Sequence, residues 1–255
     1  MNKLALYLAL LLSSAALGQT KYPYPNIDDS TAVDDSLAGA IGWGSCVTCA
    51  GGGGNATISS SPFQTRPSMD GTSRDFYING AAYTNGLWWY KVGPNDSVSN
   101  FNFDSWVFFN SGTQYAQALE FDTFQFISGQ EYMFGTQCNY ALPGTWSVWN
   151  QGGHQWVPTN VACTRFKFNT WYHLIWTFHR TSPDNYEHYD SLTIEQYNGA
   201  GKLASSNTYN FNIALPSGPT PSGWTDNLGV QFQMDIGPTG TSMEEWVDEV
   251  TLTVW

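Results

Sequence analysis

The chain predicts an all-β fold, a two-sheet antiparallel jelly-roll sandwich stiffened by disulfides. Three observations carry that reading. Aromatic residues make up 16% of the 255 positions and recur in short runs with β-branched neighbours. Gly, Pro, Asn and Ser break those runs at close intervals. Beyond the N-terminal segment, no window of about twelve residues carries a helical apolar stripe.

Taken in order, residues 1–18 (MNKLALYLALLLSSAALG) begin with Lys3, continue as an apolar run from Leu4 to Leu12 and end in small residues. That is the order of a secretory signal, and the run is too short to span a bilayer comfortably. Cleavage near Gly18 is expected, giving a secreted protein with no membrane partner. Residues 19–40 carry Pro, Asp and Ser without periodicity and read as a flexible leader. Residues 41–255 show no composition break and read as one sandwich domain. The expected strands are DFYING, GLWWYKV, NFNFDSWVFFN, AQALEFDTFQF, QEYMFGT, WSVWN, WYHLIWTFHR, DSLTIEQYNG, NTYNFNI, LGVQFQMD and WVDEVTLTVW. Alternation is clearest in FNFDSWVFF and DEVTLTVW, each with one apolar and one polar face. So many short strands imply two packed sheets, and sheets of this size curve into a concave face.

The formal net charge is −12, and it becomes −13 once Lys3 is removed with the signal. An acidic chain with only 9 Lys and Arg is repelled by nucleic acid and by anionic lipid. Its charged residues are 12% of the total, whereas Asn, Gln, Ser, Thr and Gly abound, so a neutral hydrogen-bonding partner fits best. Twelve Trp exceed what a core alone requires, and Trp and Tyr faces stack on sugar rings. The four cysteines, in an exported chain, are expected to form disulfides. Cys46–Cys49 is read as a local clip and Cys138–Cys163 as a bridge closing a long loop, with crossed pairing the alternative. No second Cys-x-x-Cys or His pair supports zinc, and no βαβ pattern supports a redox pair.

Trp171-Tyr-His173-Leu resembles the W-x-H strand of laminin-G-like and concanavalin A-like sandwiches. Trp246-Val-Asp248-Glu-Val250 resembles their closing strand. The segment EFDTF resembles the metal-carrying strand of legume lectins and the catalytic strand of family 16 glycoside hydrolases. From residue 41 to 255 the order WGSCxxCAGGG, LWW, ALEFD, FGTQC, WxVWN, QWVPT, FQMD resembles a group of uncharacterised secreted sandwich proteins of soil bacteria. The resemblance implies the fold and leaves the activity open, because sandwiches host many unrelated sites.

Within ALEFDTFQF, strand parity places Glu120 and Asp122 on one face and Leu119 and Phe121 on the other. A bulge after Asp122 would bring Gln125 to the carboxylates, giving Glu-x-Asp-x-x-Gln. The resembling hydrolases end that motif in Glu, which acts as the acid; an amide cannot donate and recover a proton, and retaining hydrolysis needs two carboxyls about 5 Å apart. The legume-lectin metal pair also lacks its following Asp, Asn and His. No cofactor is therefore expected, a structural calcium on Asp122 and nearby carbonyls being the one metal reading the strand leaves room for. A second constellation sets Trp146, Trp149 and Trp156 among Gln137, Asn139, Asn150, Gln151 and His154. Trp146 and Trp149 cannot share one face of a straight strand, so at least one is expected to be exposed or at a bend. Gln231, Gln233 and Asp235 form a third polar face. His173 reads as structural, and GGGGNA lacks the Lys and helix of a phosphate loop.

The expected function is a secreted, lectin-like binder of a neutral polysaccharide or oligosaccharide in a concave groove. Its expected contacts are Glu120, Asp122, Gln125, Gln137, Asn139, Trp146, Trp149, His154, Trp156, Gln233 and Asp235. The alternatives are a glycoside hydrolase of a β-glucan-type polysaccharide, with Glu120 as nucleophile and Asp122 orienting it, and a cell-surface adhesion module. A polysaccharide lyase ranks below these, because the carboxylates would repel a uronate.

Overall fold

A computed structural model of the chain describes residues 19–34, 41–47, 49, 51–141, 143–182 and 184–255. The expected signal at residues 1–18 lies outside them. In chain order the strands are β1 Tyr22–Tyr24, β2 Gly42–Val47, β3 Ala56–Gln64, β4 Ser73–Gly80, β5 Asn85–Lys91, β6 Asn100–Phe109, β7 Ala116–Ile127, β8 Gln130–Phe134, β9 Thr136–Asn139, β10 Thr145–Asn150, β11 Gln155–Ala162, β12 Thr170–Thr181, β13 Tyr186–Tyr197, β14 Leu203–Pro216, β15 Gly218–Pro219, β16 Asn227–Ile236 and β17 Thr241–Val254.

They form two antiparallel sheets, as the sequence predicts. One runs β14-β13-β12-β6-β17-β4-β3, with β1 added on β17; the other runs β11-β10-β9-β7-β16-β5-β2, with β8 on β7 and β15 on β8. The alternation in β6 is regular: Phe101, Phe103, Val107 and Phe109 are buried, whereas Asn102, Asp104, Trp106 and Phe108 are partly exposed. Facing rings interlock between the sheets, with Phe232 against Phe76 and Phe103, and Trp146 edge-on to Trp176 at 5.4 Å. Rings of this size contribute the most buried apolar area per residue, at low entropic cost.

Both expected disulfides form, Cys46–Cys49 and Cys138–Cys163, with Cα separations of 6.0 and 5.3 Å. The second joins the end of β9 to the segment after β11, holding the Trp-rich hairpin against the sheet.

The leader departs from expectation. Residues 19–34 are tied down rather than flexible: β1 pairs with β17, and Val33 bridges to Trp43. Ile27 and Asp28 are buried; the Asp28 carboxylate accepts from the amide of Val250, and Arg74 donates to the carbonyls of Asp28 and Ser30. Asp34 forms an ion pair with buried Lys91. The Asp residues that looked solvated in the sequence are there to meet these partners. Residues 35–40 lie outside the described part.

Candidate functional site

The outer face of the second sheet is built on β7 and β16. These strands pair in uninterrupted register from Asn227↔Phe126 to Asp235↔Ala118. Parity therefore sends Leu119, Phe121, Thr123 and Gln125 inward and Glu120, Asp122, Phe124 and Phe126 outward. The expected bulge after Asp122 is absent, which corrects the placement of Gln125. It lies between the sheets, where its carbonyl accepts from Arg180 Nε at 2.6 Å and its amide donates to Asn95 O at 2.9 Å. Trp146 is likewise corrected: it is 1% exposed in the core. Trp149, three residues on, is partly exposed on the outer face, as the parity of the hairpin demands.

The remaining expected residues converge. Across the sheet, Gln137 of β9, Glu120 of β7 and Gln233 of β16 lie side by side in register. Gln137 Nε2 donates to Glu120 Oε1 at 3.1 Å, and Gln233 Nε2 donates to Asp235 at 2.9 Å. Asp235 lies diagonally across from Glu120 on the neighbouring strand and lines the same hollow. One row further along, Asp122 accepts from the Thr136 amide at 2.7 Å and from Gln231 Nε2 at 2.9 Å. Thr136 opens β9 just past Gly135, where the edge of the sheet changes from β8 to β9. A Cβ at Gly135 would lie 2.7 Å from Trp149 Cβ, so glycine is what lets the Trp149 hairpin close onto this face.

Burial dominates the electrostatics. It holds Glu120 well above the carboxylate range, aided by the neighbouring charges of Asp235 and Asp122. It raises Asp122 to about 8 against the hydrogen bonds from Thr136 and Gln231, and raises Asp235 to about 7. The floor is thus largely uncharged in mildly acidic solution, and it acts through hydrogen bonds rather than through charge.

Three adjoining hollows run along this face. The first, about 340 Å³, contains Glu120, Gln137, Asn139, Gln233 and Asp235, walled by Trp156. The second, about 460 Å³, contains Glu120, Asp122 and Gln233, walled by Trp149, His154 and Trp156. Trp149 and Trp156 are cross-strand partners whose rings meet edge-on at 5.2 Å. The third, about 370 Å³, is apolar and is reached past Met133 and Gln231. Among the described residues, no Lys or Arg lines any of the three. In the first hollow the side-chain oxygens of Asn85, Gln137 and Gln233 are buried acceptors with no hydrogen-bond partner among the described residues.

Sequence reasoning missed Asn85 and Glu131 as lining residues; Gln231 and Gln151, which it grouped with the site residues without choosing them as contacts, line the second hollow. Glu131 faces outward from QEYMF, as does Met133; burial raises Glu131 to about 7, and Gln151 Nε2 donates to it. The carboxyls line one floor: Glu120 and Asp235 lie on the paired strands β7 and β16. Among the described residues, no group of three or more His, Cys, Asp or Glu is placed to hold a metal ion.

No protein-family model and no curated protein sequence matches the chain. Among solved structures, it is similar to the PL-14 alginate lyase from Aplysia kurodai (10% identity, 76% of this chain and 86% of that one, TM-score 0.48). It is also similar to arcelin-5, a lectin-like defence protein from Phaseolus vulgaris (12%, 92% and 98%, TM-score 0.41). A third is the family 11 carbohydrate-binding module from Clostridium thermocellum (14%, 91% and 94%, TM-score 0.37). These neighbours are jelly-roll sandwich proteins.

Proposed function

We propose that this groove binds a neutral glycan. The observation that carries the reading is the first hollow, where Asn85, Gln137, Gln233 and Asp235 surround Glu120 beneath the Trp156 wall. Amide and carboxyl side chains offer donors and acceptors to several sugar hydroxyls at once while the ring stacks on Trp. The absence of Lys and Arg from the lining removes the groups that would hold a uronate or phosphate. Two disulfides fit an oxidising compartment, and no described helix is long and apolar enough to cross a membrane.

The test is titration calorimetry of the chain against mixed-linkage β-glucan, xyloglucan, xylan and galactomannan, with reducing sugar measured in parallel. Saturable binding without release, weakened about tenfold or more by Trp156→Ala, is expected. Binding to none of the four rules the reading out. Sugar release that disappears in Glu120→Gln replaces it with hydrolysis.

A further inference from the structure

The third hollow has a different chemistry from the other two. Of the eleven described residues that line it, only Glu131 and Gln231 carry carboxyl or amide side chains. Its aromatic surface is Trp89, Phe124, Phe126 and Trp224, completed by Met133 and the Cys46–Cys49 disulfide. The rings are fixed. Trp224 packs at 4.8 Å on Phe126 and edge-on to Trp89 at 6.2 Å, and the Lys91 ammonium lies 4.8 Å from its ring centre. Trp89 lies flat against the strand beside it because Gly44 offers bare backbone: a Cβ there would come within 2.3 Å of the indole.

This is a small satellite cluster on the outside of the sheet, separate from the core between the sheets. An apolar cavity of about 150 Å³ is enough to hold a benzene ring, so 370 Å³ accommodates a substituted aryl group. A bare sugar gains little here, because its hydroxyls would find few partners and would lose their water. The hollow is also continuous with the polar groove, since Leu87, Met133, Gln231 and Glu131 line both it and the second hollow. A molecule lying along the face would thus place hydroxyls over Glu120 and an apolar group over Phe124 and Trp224.

We propose that the third hollow is a subsite for an aryl group carried covalently by the bound glycan. The inference rests on the glycan reading above, and it makes the preferred ligand an aryl-substituted sugar rather than a bare one.

The probes are paired: methyl and p-nitrophenyl β-cellobioside and β-xylobioside, together with the neutral apolar dye N-phenyl-1-naphthylamine. Each is titrated into wild type, Trp224→Ala and Met133→Gln, with melting curves confirming that the variants are folded. The two substitutions act on separate elements, β8 and the segment before β16, so loss of folding in one leaves the other to decide. Supporting results are saturable dye binding in wild type and p-nitrophenyl glycosides binding about tenfold or more tightly than their methyl counterparts. That ratio should fall towards one in both variants. Equal binding of methyl and p-nitrophenyl glycosides overturns the subsite and leaves the glycan reading standing. Dye binding with no glycoside binding at all overturns both, because the hollow then serves an apolar molecule alone.

Discussion

Glu120 of β7 and Asp235 of the neighbouring β16 lie diagonally across the strand pair and line one hollow, and burial raises both carboxyls, Glu120 further through the charge of Asp235. The folded value of Glu120 lies above its unfolded one. Its contribution to stability is therefore complete below about pH 4.5 and is lost as pH rises through the folded value. Glu120→Gln has no proton to lose. It should match wild type within about 2 °C at pH 5 and melt at least about 3 °C higher at pH 8. Thermal unfolding at the two pH values checks this; an equal shift at both would mean that Glu120 is not protonated in the native pair.

The same sign holds for the protein as a whole. Burial raises Asp28, Glu131 and Asp235 to about 7 and Asp122 to about 8. Across the window from about pH 4 to pH 8 the folded chain binds more protons than the unfolded one, and stability falls as pH rises. The melting temperature should peak near pH 5 and drop by at least about 5 °C at pH 8. Glycan binding would follow the same slope if the protonated floor is the binding form. A melting temperature that rises steadily from pH 5 to pH 8 would contradict the burial of these carboxyls.

Much of this site can be read from parity alone. Phe121 and Leu119 are apolar, so a strand through them must turn Glu120 and Asp122 the other way, and QFQMD repeats the pattern in β16. What could not be read was which strands are neighbours, and that decides everything else. Asn85 and Glu131 enter the groove because β5 and β8 flank β16 and β7. The two errors have local causes. Gln125 was assigned outward by supposing an irregularity, and the ladder has none there; its inward position is compensated by Arg180, fifty-five residues away in sequence. Trp146 was taken with its Trp-rich neighbours, but the hairpin alternates and spends it on the core. Among the strands that went unread, GWGSCV, ATISSSPFQ and QWVPTNVA lie on sheet edges, where small and polar residues suffice and the aromatic signal thins. The leader was misread because its Asp and Ser residues meet Val250, Arg74 and Lys91, partners that composition cannot reveal.

Gly135 tests how tightly the Trp149 hairpin must close. The carbonyl of Gly135 accepts from the Trp149 amide at 2.9 Å, so the two backbones touch. Gly135→Ala places a methyl group 2.7 Å from Trp149 Cβ, closer than any relaxed contact. The hairpin must move, at a cost of about 1–3 kcal/mol. The expected result is a lower melting temperature, an altered near-UV Trp signal and about tenfold weaker glycan binding. A variant with wild-type binding would show that Trp149 does not form a wall of the ligand site.

The orientation of Trp149 rests on a relay. Its indole N–H donates to Gln151 Oε1, and Gln151 Nε2 donates to Glu131, which is 5% exposed. A Trp wall is useful only if its face is fixed before the sugar arrives, because ordering it on binding subtracts from affinity. Gln151→Leu removes both bonds, leaves Glu131 buried without this donor and costs about 1–3 kcal/mol. It should weaken glycan binding several-fold and broaden the Trp fluorescence. Glu131→Gln makes the useful contrast. Its side-chain oxygen still accepts from Gln151, so the relay survives. The buried group no longer ionises, so stability at pH 8 should rise slightly while affinity stays within about twofold of wild type. If both variants bind alike, Gln151 holds the fold and not the ring.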